Sequence, residues 1–273
     1  MEHGIPELAL TELTSGGENL PLLVVGPSLG TSVSAMWSVA AVRLGTMFTV
    51  VGWDLPGHDA SPPAERFTLA DIAAGVLSAL DRRSAGVRFH YAGDSLSGAV
   101  GLQLLLDAPG RLQSATLCCT GARIGEPEGW YERAQTVRSG GTAVLLDSAA
   151  DRWFGPGFPE RDPQTAQALL DDLAATDTAS YAAACDALAT FDVRGRLAEI
   201  ATPVLAVAGD HDSVLTPTVL GYIATGVQSG MLVVLDGVAH LAPAEAPDRV
   251  ADLIMQHAGD PPESNDRSTD RKN

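Results

Sequence analysis

The sequence predicts an α/β fold, with a mostly parallel central sheet, helices on both faces and a helical insertion. Short and nearly continuous apolar runs, of the kind that form buried parallel strands, alternate with segments of helical periodicity. This alternation is typical of a parallel sheet covered by helices. It stops over residues 125–196, where helical periodicity continues without a convincing strand, and it resumes at residue 203. Helices inserted into a sheet-forming core explain both features.

Three parts of the chain follow from this pattern. The core is expected to combine residues 1–124 with residues 197–258, and the inserted residues 125–196 are expected to form a helical lid. Residues 259–273 lack apolar side chains, so we expect this tail to be disordered. The length of 273 residues is enough for a core of this size.

The individual strands are predicted from six apolar runs, at residues 20–25, 47–53, 87–92, 112–119, 203–208 and 231–235. A helix is predicted to begin after Thr68, a good N-cap, because apolar residues recur at helical spacing from Leu69 to Leu80. A second helix is expected at residues 100–106, and a third, at residues 247–257, closes the fold.

Composition argues against several classes of function. Thirty-four acidic and seventeen basic residues give a formal net charge of −17, so we expect neither nucleic acid nor an anionic membrane surface as a partner. Three cysteines, of which Cys118 and Cys119 are adjacent, do not indicate a disulfide framework, and a reducing cytoplasm is the expected location. No segment has the pattern of a signal peptide or a membrane span. The oligomeric state stays open.

The sequence Gly-Asp-Ser-Leu-Ser-Gly at residues 93–98 predicts a nucleophile elbow between a strand and a helix. In the Gly-x-Ser-x-Gly pattern, small residues let the strand reverse into a helix, and the serine hydroxyl is exposed at the turn. Ser95 is therefore the expected nucleophile, and the backbone N–H of Leu96 is expected to point at a developing oxyanion. Ser97 stands where the second glycine is usual, and Gly98 follows it at once.

Two other interpretations of these letters exist. Glycines and serines between a strand and a helix can form a plain turn. Gly-Asp-Ser-Leu is also the signature of a different esterase family, which carries its serine near the N-terminus and pairs it with a late Asp-x-x-His. Here Ser95 lies a third of the way along the chain, and Asp236 is one residue too far from His240. The nucleophile elbow is the better match.

A serine hydroxyl needs an adjacent base, and the base needs an acid that fixes its tautomer. In a parallel sheet the loops that follow the strands meet at one edge, where ligands bind. The strand at 203–208 is followed by Asp210 and Asp212, and the strand at 231–235 is followed by His240. The order Ser, Asp, His is that of α/β-hydrolases. Asp210 competes with Asp212 for the acid role, and the usual Gly-x-x-Asp spacing of this loop provisionally favours Asp212.

Other polar residues have less specific contexts. His58 and His211 are more often surface or structural histidines than catalytic ones. The oxyanion hole needs a second N–H from the loop after the first long strand, and Leu29 is placed to supply it because Pro27 has no N–H. Ser28, beside Leu29, is a candidate for substrate binding.

Several further stretches resemble one family, the 3-oxoadipate enol-lactone hydrolases of the β-ketoadipate pathway. The resemblance covers roughly residues 20–257, and the stretch around Arg123 and the lid pattern are its most specific parts. The matching residues are Gly26-Pro27-Ser28-Leu29-Gly30-Thr31 with Met36-Trp37, Gly57-His58-Asp59-Ala60-Ser61, Thr120-Gly121-Ala122-Arg123-Ile124-Gly125 with Trp130, Arg133, Val137 and Arg138, Asp151-Arg152-Trp153-Phe154, Tyr181-Ala182-Ala183-Ala184-Cys185 and Thr202-Pro203.

The resemblance implies an α/β-hydrolase fold and hydrolysis of an enol-lactone through an acyl-enzyme, with no metal or organic cofactor. A small lactone or ester is then the expected partner. Because the chain is acidic, an anionic substrate would need a local donor, and Arg123 and Arg133 are the candidates. Trp130 and Trp153 are expected to wall the apolar part of the pocket.

Four residues depart from the family pattern: Pro27, Asp59, Asp94 and Ser97. Pro27 and Asp94 are adjacent to the predicted oxyanion loop and nucleophile, so they bear on the choice of substrate. A carboxylesterase or a lactonase-like tailoring hydrolase of secondary metabolism would keep the same triad. A ligand-binding protein without turnover is the least favoured alternative, because the triad is complete.

Overall fold

A seven-stranded sheet forms the centre of the computed structural model, which describes residues 4–15 and 20–259. The strand order is β1-β3-β2-β4-β5-β6-β7, and every neighbouring pair is parallel except β1 and β3. The strands are β1 (Leu10–Glu12), β2 (Leu22–Gly26), β3 (Thr49–Trp53), β4 (Phe89–Asp94), β5 (Leu112–Cys118), β6 (Val204–Gly209) and β7 (Gly230–Leu235). The predicted fold class is confirmed.

Helices cover the sheet, and β2, β4 and β6 are buried at every residue, as strands between two helical layers are. Helix α1 packs against α11, and α2 packs against α3. The helices are α1 (Val33–Leu44), α2 (Leu69–Arg83), α3 (Leu96–Asp107), α4 (Pro127–Gly140), α5 (Leu146–Trp153), α6 (Phe158–Arg161), α7 (Pro163–Ala175), α8 (Thr178–Thr190), α9 (Pro217–Gly226), α10 (Ala242–Glu245) and α11 (Pro247–Gly259).

The N-terminus of α2 shows how local sequence fixes an element. The Thr68 hydroxyl accepts a hydrogen bond from the Asp71 N–H at 3.1 Å, and the Asp71 carboxylate accepts one from the Thr68 N–H at 2.8 Å. This reciprocal capping box gives an acceptor to two N–H groups that have none within the helix. The predicted N-cap is therefore confirmed.

Five helices, α4 to α8, lie between β5 and β6, where the sequence predicted an insertion. Helices α4 and α8 pack closely against each other, and α7 also contacts α1 of the core. The division of the chain into a core and a lid stays a prediction. Within the described part of the chain, no helix is long and apolar enough to cross a bilayer.

Some elements differ from the prediction. Strand β1 was not predicted, because three residues are too few to show a period. Helices α1 and α9 were also not assigned. Helix α11 continues to Gly259, which the sequence placed in the tail. The remainder of the predicted disordered tail lies outside the described residues.

Candidate active site

The turn between β4 and α3 holds Ser95 in an uncommon backbone conformation. Its φ is +53°, and within the described residues only two other non-glycine residues have a positive φ. The neighbouring glycines make this turn possible, because a Cβ atom on Gly93 would approach the carbonyl oxygen of Ser97 to 2.5 Å. A Cβ atom on Gly98 would approach the Thr120 side chain to 2.6 Å. Such strain, fixed by its surroundings, is typical of functional residues.

The structure accommodates Ser97, one departure from the family pattern. Its buried hydroxyl donates a hydrogen bond to the carbonyl oxygen of Pro27. The opposing Gly26 leaves room for it, since a Cβ atom there would lie 2.7 Å from that of Ser97. Gly98 therefore provides the close approach to Thr120, and Ser97 links the elbow to the loop that carries Leu29.

The structure brings together Ser95, Asp212 and His240. The Ser95 hydroxyl donates to Nε2 of His240 at 2.9 Å, and Nδ1–H of His240 donates to Oδ2 of Asp212 at 2.7 Å, in the tautomer that this network favours. Burial would raise the pKa of Asp212, but the hydrogen bond from His240 and those from the N–H groups of Val214 and Leu215 outweigh it. The pKa of this carboxyl therefore lies below its usual range, and Asp212 stays charged beside the imidazole.

Asp210, the competing acid, lies elsewhere. Its carboxylate accepts a hydrogen bond from the N–H of Gly237 at 2.8 Å, in the turn after β7. Its side chain is also one-third exposed, and its Oδ1 lies 3.9 Å from Nε2 of His211. Asp210 therefore stabilises the loop before His240 and does not contact the imidazole of His240.

His58 is a structural residue that fixes the loop of Leu29. Its Nε2 accepts a hydrogen bond from the N–H of Gly30 at 3.0 Å, and its Nδ1 donates to the carbonyl oxygen of Pro56 at 2.9 Å. Burial lowers the pKa of His58 to about 4, so the ring is neutral at physiological pH. The N–H groups of Leu29 and Leu96 have no hydrogen-bond acceptor among the described residues, so both stay available to an oxyanion.

A cavity of about 60 Å³ lies beside Ser95. Of the predicted substrate-binding residues, Ser28, Trp130, Arg133 and Trp153 line it. Arg123 does not line it, because its guanidinium forms an ion pair with Glu126, three residues further along. Arg152 and Tyr181 also line the cavity. The sequence analysis missed both as site residues, although both lie in stretches that carried the family resemblance.

Two arginines, Arg133 and Arg152, line the cavity. Arg133 lies over the rings of Trp130 and Tyr181, at 5.6 and 5.7 Å from their centroids, and neither Arg133 nor Arg152 forms an ion pair within the described residues. Nε of Arg133 and Nη2 of Arg152 are buried without an acceptor. Burial lowers the pKa of Arg152, and the charge of Arg133 lowers it further. Against these two guanidinium groups the cavity lining has one carboxylate, that of Asp212, so the cavity is locally positive in a strongly acidic protein.

Glu245 joins the loop of His240 to the inserted helices. Its buried carboxylate accepts hydrogen bonds from the N–H of Ala239 at 2.9 Å and from the N–H of Gly155 at 2.6 Å. The N–H of His240 itself donates to the carbonyl oxygen of Trp153 at 3.2 Å. One short segment of the insertion thus contacts both the pocket and the backbone of the candidate base.

Asp94, directly before Ser95, is a buried carboxyl without a partner. Neither of its oxygens is hydrogen-bonded within the described residues, and its side chain has no solvent exposure. Burial raises the pKa of Asp94 well above its usual range, and the nearby Asp212 and Glu245 raise it further. This shift favours the uncharged form of Asp94 next to the nucleophile. The described residues contain no cluster of three or more His, Cys, Asp or Glu side chains that could hold a metal ion.

Comparisons with family models, curated proteins and solved structures indicate the same family. The model of the alpha/beta hydrolase family matches residues 22–253. The chain is 35% identical to 3-oxoadipate enol-lactonase 1 of Acinetobacter baylyi, over 88% of this chain and 89% of the relative. It is 29% identical to a pimeloyl-[acyl-carrier protein] methyl ester esterase of Methylococcus capsulatus, over 81% and 88%. The crystal structure of the enol-lactonase from Burkholderia xenovorans superposes with a TM-score of 0.87 at 29% identity, covering 93% of this chain and 96% of that one.

Replacement of the candidate acid tests the geometry of the triad. We expect Asp212→Asn to lower kcat for an activated aryl ester by about 10⁴-fold, because the amide cannot hold the imidazole in the productive tautomer. Asp210→Asn is the matched control and should lower kcat less than about threefold, since the Asp210 carboxylate accepts a hydrogen bond from the N–H of Gly237 and the imidazole of His240 bonds to Asp212 instead. Steady-state kinetics compares the two variants, and equal losses would contradict the assignment.

The buried Asp94 predicts a dependence of stability on pH. Because its folded pKa is raised, the folded state keeps a proton that the unfolded state releases above about pH 4, so this group destabilises the protein as the pH rises. Between that pH and the folded pKa, Asp94→Asn should gain stability over the native protein by about 1.4 kcal/mol per pH unit. Urea unfolding at several pH values measures this difference. A difference that does not change with pH would mean that Asp94 is ionised in the folded protein.

Proposed function

The chain belongs to the alpha/beta hydrolase family, in the branch of the 3-oxoadipate enol-lactonases, and we propose that it opens an enol-lactone that carries a free carboxylate. It is a hydrolase that acts on ester bonds. The observation that carries the proposed substrate is the pair Arg133 and Arg152, two guanidinium groups with buried and unsatisfied N–H donors in the cavity beside Ser95. A cytoplasmic location, and the absence of nucleic-acid and membrane partners, stay predictions.

The proposed reaction is a two-step acyl transfer on Ser95. The Ser95 hydroxyl attacks the ring carbonyl while His240 takes its proton, and the N–H groups of Leu29 and Leu96 bind the oxyanion. The ring C–O bond then breaks, the enolate oxygen receives the proton from His240, and the enol tautomerises to a ketone. A water molecule, deprotonated by His240, attacks the acyl-enzyme. The bond between Ser95 Oγ and the acyl carbon then breaks, the proton returns from His240 to Ser95, and the carboxylic acid is released. Asp212 keeps the imidazole oriented in both steps.

Electrostatics supports an anionic substrate. The protein has a net charge of −17, so an anion approaches a negative surface and needs a local cation to bind. The two arginines would supply it, because a carboxylate would accept hydrogen bonds from donors that are buried and unsatisfied without a ligand. It would also lower the mutual repulsion of the two guanidinium groups. A neutral ester would leave the buried donors unsatisfied and the repulsion between the two guanidinium groups unchanged.

A carboxylesterase is the second candidate, favoured by the likeness to the Methylococcus methyl ester esterase. It would use the same triad on a neutral ester, and the arginines would then contribute little to its rate. A binding protein without turnover is the least favoured alternative, because Ser95, His240 and Asp212 are in hydrogen-bond contact in the order that catalysis requires. A panel of lactones and aryl esters, with detection of the products, separates the three candidates.

The arginine pair gives a specific test of substrate charge. We expect Arg133→Met and Arg152→Met each to lower kcat/KM for a carboxylate-bearing lactone about ten- to hundredfold, because a charge-assisted hydrogen bond contributes about 1.5–3 kcal/mol. Hydrolysis of a neutral ester of similar size should change less than about threefold. Methionine retains much of the apolar stem of arginine, so packing is preserved.

Arg123→Met is the matched control for this test. Arg123 is paired with Glu126 outside the cavity, so its loss should leave the ratio of anionic to neutral turnover unchanged. If the two cavity variants slow both substrates equally, the arginines do not bind the substrate carboxylate. The carboxylesterase alternative would then be preferred.

A further inference from the structure

The two edges of the sheet differ in a way that the enzymatic function does not explain. At one edge, β1 has three residues, and the carboxylate of Glu12 on it forms an ion pair with Arg83. At the other edge, β7 has six residues, Gly230–Leu235, none of which is charged. Short strands and charged side chains are the usual means by which an edge avoids pairing with another chain. Strand β1 has both of these features and β7 has neither.

The outer side of β7 presents unpaired backbone groups. The carbonyl oxygens of Ser229 and Leu235 accept hydrogen bonds from the N–H groups of Val204, the first residue of β6, and Asp210, directly after its last. Backbone groups two residues apart point the same way in a strand, so the odd-numbered residues of β7 face β6. The N–H and C=O groups of Gly230, Leu232 and Val234 therefore face outward. None of them is hydrogen-bonded within residues 4–15 and 20–259.

The side chains around this edge are apolar and exposed. Met231, Leu232 and Val234 are 51%, 39% and 43% exposed, and Tyr222 on the adjacent helix α9 is 52% exposed. The whole stretch 213–235 contains no Asp, Glu, Lys, Arg or His, in a chain with 34 acidic and 17 basic residues. Exposed apolar surface of this kind marks an interaction site.

The charge pattern indicates which partner fits. Two copies of a chain with a net charge of −17 repel each other, and an uncharged surface is where that repulsion is smallest. The parts of the chain outside the described residues do not match the edge, because residues 1–3, 16–19 and 260–273 include only one large hydrophobic residue, Met1. A second copy does match, since an antiparallel pair of identical strands is self-complementary.

We propose that the outer edge of β7 is the interface of a homodimer. Two β7 strands pair antiparallel about a two-fold axis at Leu232, and the two sheets become one continuous sheet. Leu232 lies opposite Leu232 of the second copy, and Gly230 lies opposite Val234. Each of these residue pairs exchanges two hydrogen bonds, which satisfies the outward groups of the edge. Leu232 and Val234 then lose their exposure to water.

Cysteine cross-linking tests the register of this pairing. Residues opposite each other in a hydrogen-bonded antiparallel pair have Cα atoms about 5.5 Å apart, a distance that a disulfide spans. Leu232→Cys should therefore give a covalent dimer under mild oxidation, on a non-reducing gel. The native Cys118, Cys119 and Cys185 are all buried and do not compete. Val42→Cys, on an exposed residue of α1, is the control and should stay monomeric. Equal cross-linking of the two variants overturns the proposal.

Sedimentation velocity tests the dimer without a covalent bond. The native chain should sediment with twice the mass of 28.3 kDa at tens of micromolar, and Leu232→Glu should sediment as a monomer because two like charges meet at the axis. Val42→Glu adds the same charge at an exposed site and should remain dimeric. Retained ester hydrolysis by Leu232→Glu shows that the variant is folded. A monomeric native protein, or a dimeric Leu232→Glu, overturns the interface and leaves the proposed reaction untouched.

Discussion

Close packing of backbone against backbone at the turn between β4 and α3 is the constraint on which the site depends. Gly93 and Gly98 have no side chain because Ser97 and Thr120 occupy that space. The turn consequently gives Ser95 a positive φ, which points its hydroxyl towards His240 and leaves the N–H of Leu96 unused. The Thr120 hydroxyl donates to the carbonyl oxygen of Ser95 at 2.6 Å and holds the strained residue in place.

Much of the fold could be predicted from the sequence, because buried parallel strands are apolar along their whole length and appear as uninterrupted runs. Strand β1 could not, since three residues carry no period. The residues of the triad could be named from their positions after strands, and the loop spacing provisionally favoured Asp212 over Asp210, but the contacts of the two carboxylates depend on the direction of each side chain. The contacts of Arg123 and Arg152 also depend on side-chain direction: Arg123 pairs with Glu126, and Arg152 lines the cavity.

Three buried carboxyl groups near the nucleophile show how neighbours set charge. Asp212 receives a hydrogen bond from the imidazole and two from backbone N–H groups, and its pKa falls. Burial raises the pKa of Glu245 although backbone N–H groups partly oppose it, and Asp94 has no donor at all. Burial raises the pKa of all three groups, and only at Asp212, which the imidazole contacts directly, do the hydrogen bonds and the nearby charge outweigh it.

The hydrogen bonds of Glu245 and Trp153 couple the shape of the cavity wall to the position of His240. The Glu245 carboxylate accepts hydrogen bonds from both Gly155 and Ala239, and the N–H of His240 donates to the carbonyl oxygen of Trp153. Trp153 and its neighbour Arg152 also form the wall of the cavity. A change that widens the wall for a larger substrate will shift the base as well. Divergence towards new substrates at this wall should therefore proceed through variants of reduced rate, until a second change restores the position of His240.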